Sequence, residues 1–242
     1  MIKGFATSEG TNKFAESHID VPQQNYRKIQ NLTLSNVGIG TYLGNTDSET
    51  DLLMKNAVKE SILQGVNVID TAINYRAQKS ERTVGKAISE LVGEGKINRN
   101  EIFISTKNGY VTNDADIQED FMDYVIREFG KTGIVKEGDI SSQYNCITTP
   151  FLEDQLARSK KNLGLECIDL MYLHNAVEGQ PQMSRDEFVR QLKNIFEFYE
   201  RQREEQNIRF YGLATWECFR APKENSNFLS LTQVIDLAEH VG

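Results

Sequence analysis

The chain has 242 residues, 39% hydrophobic and 26% charged, enough for one large α/β domain or two small ones. Its 27 basic and 35 acidic residues leave a net charge of −8, and no basic run exceeds the pair Lys160-Lys161, which argues against a nucleic-acid-binding face. Cys146, Cys167 and Cys218 form neither a CxxC nor a zinc pattern, no signal-peptide stretch opens the sequence, and no run reaches the ~18 apolar residues of a membrane span. The expectation is a cytoplasmic protein without a metal or a membrane contact.

Residues 1–33 read as an irregular lead-in, with a short hairpin around Tyr26 to Leu34. The first strand of the βα series is Leu34 to Thr41. Gly38, Gly40 and Gly44 do not match GxGxxG spacing, and the loop runs on to Ser48, so a Rossmann phosphate turn is set aside. A helix from about Ser48 stops at Gly65. Val66-Asn67-Val68-Ile69 is a mostly β-branched run suited to a buried strand and ends on Asp70. Tyr75 follows, then Ser80 as a helix cap, then Val84, Ala87, Ile88 and Leu91 at i, i+3, i+4 and i+7, an amphipathic helix.

The third strand, Ile102 to Thr106, ends on Lys107. A helix starting at Thr149-Pro150 closes at Gly164. The fourth strand, Ile168 to Leu173, ends on His174, and Ser184 with Glu187 sets a capping box for the next helix. The fifth strand is Ile208 to Ala214, followed by Thr215, Trp216 and a helix from Ser230 to His240. This strict β-then-α alternation predicts a parallel sheet with crossover helices over residues 34–242. One connection is outsized: residues 108–150, with a helix of its own near Ile117 to Phe129. It reads either as a lid or specificity loop or as a disordered insertion.

Asp70, Tyr75, Lys107 and His174 all finish strands or begin the loops after them, the end of a parallel sheet where chemistry collects. Each alone has a plainer reading, such as a turn-capping aspartate or a rim aromatic. Together they suit one reaction. A phenol, with a reference pKa of about 10, is a poor proton donor at neutral pH. A nearby ammonium favours the phenolate, and a carboxylate fixes the ammonium. A histidine can orient a carbonyl oxygen while the phenol protonates it as a hydride arrives at carbon.

The stretch Val68-Ile69-Asp70-Thr71-Ala72-Ile73-Asn74-Tyr75, followed by Ser80-Glu81-Arg82-Thr83-Val84-Gly85, resembles the signature of the aldo-keto reductases. Gly38-Ile39-Gly40-Thr41-Tyr42, Ile104-Ser105-Thr106-Lys107, Asp169-Leu170-Met171-Tyr172-Leu173-His174 and Ile208-Arg209-Phe210-Tyr211-Gly212-Leu213 resemble its other elements in the same order. The resemblance implies a (β/α)8 TIM barrel and NAD(P)H-dependent reduction of an aldehyde or ketone. It implies Tyr75 as general acid, Lys107 and Asp70 as its tuning pair, and His174 as the group that orients the carbonyl. Gly40, Thr41 and Asp70 would lie along the nicotinamide of NADPH (or NADH), while Tyr42 and Trp216 would face a small-molecule carbonyl substrate.

Two departures accompany it. Ala214-Thr215 stands where the family commonly has a Ser-Asn pair for the carboxamide, so Thr215 alone keeps a hydroxyl there. Only five βα units are visible where the family has eight, so the expectation is a barrel truncated after the fifth unit. Its exposed edges would favour self-association. A noncatalytic aldo-keto-like domain, binding a partner or cofactor without turnover, or an inactive fragment, is the alternative expectation.

Overall fold

The structure, a computed structural model, describes residues 1–242. Numbered in chain order, the strands are β1 Tyr26–Ile29, β2 Leu32–Ser35, β3 Ile39–Gly40, β4 Val68–Asp70, β5 Phe103–Asn108, β6 Ile168–His174 and β7 Ile208–Ala214. The helices are α1 Ser8–Ser17, α2 Ser48–Leu63, α3 Lys79–Gly93, α4 Phe121–Val125, α5 Thr149–Leu163, α6 Arg185–Glu204 and α7 Leu231–Val241. β1 and β2 pair as an antiparallel hairpin, and β3 to β7 form a five-stranded sheet, parallel throughout, whose neighbours follow chain order. The sheet is open. The closed (β/α)8 barrel that the resemblance implies is not formed, because closure needs every strand paired on both sides, and β3 and β7 each have one partner.

Strand alternation sorts the side chains into two faces. Ile69, Ile104, Met171 and Leu173 pack outward into the main core with Val84, Ile88, Leu152, Leu156, Phe188 and Ile195 of the helices. Val68, Phe103, Leu170 and Phe210 point inward at the start of their strands, where Leu32 and Leu34 of the hairpin cover them. Asn67 fixes that cover, accepting from Ser35 N at 2.8 Å and donating to Thr33 O at 2.9 Å. Two residues further along each strand, the same inner face carries Asp70 and Ser105, and two beyond those come Lys107 and, on β6, His174. Lys107 lies opposite Tyr172 and His174 opposite Ala214 in the ladder.

Several expectations are corrected. The lead-in is not irregular: Thr7 caps α1, which buries Phe14 and Ala15 in the main core. Phe14 is the one large apolar side chain among its ten residues, so the hydrophobic face is too small to stand out in sequence. The single strand expected over Leu34–Thr41 is two strands, split at Asn36-Val37-Gly38, because Leu34 serves the hairpin and Ile39 the parallel sheet. Ser80 is not a cap. It lies inside α3, fully buried, and its hydroxyl donates to Thr41 O at 2.7 Å. Residues 108–150 carry a small core, in which Val111, Tyr124, Val125, Phe129 and Cys146 pack with Phe151 of α5. Their helix is shorter than expected, α4 continuing into a single π turn to Gly130.

Close packing explains one glycine of the signature stretch. A Cβ on Gly85 would lie 2.6 Å from Asn162 O, so α3 can cross the end of α5 only if that position has no side chain. All three cysteines are free and buried, and burial raises all three thiols, that of Cys167 to about 11. No helix is long and apolar enough to cross a membrane.

Candidate active site

The ends of β4, β5 and β6 bring three of the predicted residues together, and the loop after β4 adds the fourth. Lys107 Nζ donates to Asp70 Oδ2 at 2.6 Å and to Thr71 O at 2.8 Å. Ser105, on the same face two residues before Lys107, donates to the other carboxylate oxygen, Oδ1, at 2.7 Å. The ammonium is buried and lies 4.6 Å from the centre of the Tyr75 ring. The Asp70 side chain keeps 38% of its surface exposed, so the pair opens towards solvent.

His174 stands edge-on to Tyr75, ring centres 5.8 Å apart, and Tyr110 packs edge-on against its imidazole at 5.0 Å. Burial, reinforced by the charge of Lys107, pushes the histidine down to about 3 despite the opposing carboxylate of Glu178. A histidine that stays neutral at pH 7 can orient an oxygen by hydrogen bonding but is not the source of the proton. Its Nδ1 is buried without a partner. Tyr42 completes the rim, edge-on to Tyr75 at 5.0 Å and itself 65% exposed.

Other predicted residues lie further out. Thr41 is fully buried and its hydroxyl donates to Asp70 O at 3.2 Å, so it fixes the end of β4. Gly40 lies opposite Asp70 in the ladder, and a Cβ there would meet nothing within 4 Å, which leaves open space beside the carboxylate. Thr215 is already committed: its hydroxyl bonds to Glu178 Oε1, which also accepts from the backbone N–H groups of Trp216 and Glu217. Trp216 is 73% exposed and does not fill the core. Its indole N–H donates to the Asn175 amide oxygen at 3.1 Å, with the amide nitrogen donating to Ala214 O.

Sequence reasoning missed Ser105, Tyr110, Asn175 and Glu178. Ser105 was recoverable from strand alternation alone; the other three touch the site through loops that sequence does not place.

The chain leaves β4 through an unusual turn. Arg76, Ala77 and Gln78, directly after Tyr75, are all left-handed, with φ of 51°, 48° and 74°. For residues with a Cβ that conformation costs roughly 1–2 kcal/mol each.

A sequence model of the Aldo/keto reductase family matches residues 36–221. The chain belongs to this family. An aldo-keto reductase AKR2E4 of Bombyx mori is 28% identical over 64% of this chain and 38% of its own length. The NADH-specific methylglyoxal reductase of Escherichia coli (strain K12) is 26% identical over 59% of this chain and 39% of its own. An aldo/keto reductase from Klebsiella pneumoniae, solved in complex with NADP and acetate, shares the fold at 17% identity and a TM-score of 0.52, over 83% of this chain and 55% of that one. The chain thus spans about two fifths of the length of the curated relatives it matches.

Proposed function

We propose that this chain carries the proton-transfer centre of an NAD(P)H-dependent reductase that converts an aldehyde or ketone to an alcohol. The observation that carries the reading is the Lys107 ammonium, held between Asp70 Oδ2 and Thr71 O and lying over the Tyr75 ring. Tyr75 gives its proton to the carbonyl oxygen. The fixed ammonium stabilises negative charge as it grows on the phenol oxygen, and Asp70 and Ser105 keep the ammonium from turning away. Neutral His174 aligns the carbonyl oxygen against the phenol.

The dinucleotide, when bound, supplies the hydride equivalent to the carbonyl carbon. The open space at Gly40 beside Asp70 fits its nicotinamide end. NADPH is the first choice on the strength of the NADP-bound relative, with NADH kept because another relative is named NADH-specific. The substrate is a small carbonyl compound, and methylglyoxal, named for that same relative, heads the panel to screen.

The commitment of Thr215 to Glu178 favours a second reading, an aldo-keto-like domain without turnover. Tyr75→Phe separates the two. As a positioned general acid, Tyr75 accounts for about 10²- to 10⁴-fold in kcat/KM, so the variant should lose that much while binding NADPH as before. Binding is followed by energy transfer from Trp216, the single tryptophan. Undiminished reductase activity in Tyr75→Phe would overturn the assignment, and binding with no turnover in either protein would leave the second reading standing.

A further inference from the structure

We infer that Arg76 and Gln78 are positioning residues, two jaws of a clamp that forces the left-handed turn and thereby aims Tyr75. The inference rests on the reading of Tyr75 given above. Three left-handed residues with side chains in succession do not persist unless their surroundings over-determine them. Both flanks do so here.

On one side, the Arg76 side chain is 1% exposed and reaches back to the start of α2. Its Nε donates to Asn45 O at 2.6 Å and its Nη2 to Asp51 Oδ1 at 2.6 Å. Asp51 also takes the ammonium of Lys79 at 2.8 Å. On the other side, the buried Gln78 amide donates to Asn113 O at 3.1 Å and to the Tyr124 hydroxyl at 3.3 Å. Between them Ala77 O accepts from Ala115 N at 3.1 Å, and Arg82, one turn into α3, pairs with Asp114 and Asp116 at 2.6 Å each.

The first part of the long 108–150 connection is therefore bound to the turn behind Tyr75, not poised to swing over it. Its role is to hold the turn from outside, as the α2 loop does from within. The phenol is the last residue before the turn, so any relaxation towards right-handed backbone rotates it away from Lys107.

The test compares two substitutions at one position. Gln78→Ala removes the side-chain hydrogen bonds and keeps the left-handed penalty; Gln78→Gly removes both. As a clamp, Gln78→Ala should lower kcat about tenfold with KM changed less than about twofold, and Gln78→Gly should recover to within about threefold of the parent. If the two fall together, the side chain is a structural contact only and the clamp is overturned; if neither falls, it is overturned as well.

A second readout is independent of turnover. With 3-fluorotyrosine incorporated, the Tyr75 ¹⁹F signal, assigned through Tyr75→Phe, should move in Gln78→Ala and return in Gln78→Gly, while that of Tyr199 stays in place. Should Gln78→Ala fail to fold, Tyr124→Phe removes one partner alone, and an unmoved Tyr75 signal there refutes the clamp. Failure of the reductase reading is separate: it is a loss of the Tyr75→Phe effect on rate, whatever the fluorine signal does.

Discussion

At the scale of single residues, burying His174 has a consequence for acid stability. Its folded value of about 3 lies well below the 6.5 it has when free. As pH falls through that interval the unfolded chain takes up a proton that the folded chain refuses. The stabilisation present above about pH 6.5 is therefore lost at up to ~1.4 kcal/mol per pH unit on the way down. His174→Gln removes this component, so its urea-unfolding free energy should fall less steeply than the parent's between about pH 6 and pH 4. Parallel curves for the two proteins would show that the histidine is not held neutral. That Asp70, Lys107 and His174 come together at the ends of neighbouring strands was readable from sequence, because strands alternate and charges at their ends stand out. Arg76 and Gln78 were not, since nothing in their side chains announces left-handed backbone, a state usually left to glycine.

At the scale of elements, the end of the sheet opposite the site is tied by one buried ion pair. Arg99 Nη2 meets Asp169 Oδ2 at 2.6 Å, both side chains nearly inaccessible. Asp169 also accepts from Ala6 N and Ile104 N, so it joins the lead-in and β5 to β6. Burial raises its carboxyl, the charge of Arg99 opposing. Asp169→Asn strands the guanidinium without its counter-charge and should cost about 3–5 kcal/mol, read as a lower urea midpoint. A change below about 1 kcal/mol would mean that the pair carries no stability of its own. The strands and helices from β4 onwards follow their hydrophobic periods and were readable within a few residues. What escaped was context: α1 is held by tertiary contacts more than by its own pattern, and the break between β2 and β3 depends on which sheet each half joins.

At the scale of the whole molecule, the ladder simply stops at β3 and β7. After Ile208, every residue of β7 is at least partly exposed, Phe210, Tyr211 and Leu213 among them. An edge with free backbone groups and apolar side chains invites another strand. The expected outcome is association that grows with protein concentration in sedimentation velocity, with amide exchange over residues 208–214 slowing in step. Exchange rates independent of concentration would rule out pairing through this edge. Five parallel strands in chain order, with an unpaired edge at each end, were readable from the count of βα units; where within residues 34–41 the sheet begins was not, because the break between β2 and β3 leaves no local mark.

The three cysteines sit in three different regions: Cys146 in the core of the 108–150 connection, Cys167 just before β6 at the hairpin-covered end, and Cys218 in the loop beyond β7. Each thiol is buried and kept protonated, so none reacts until its own surroundings part. The native sequence thus carries three built-in chemical clocks, and the order in which a thiol reagent reaches them is the order in which the molecule comes apart.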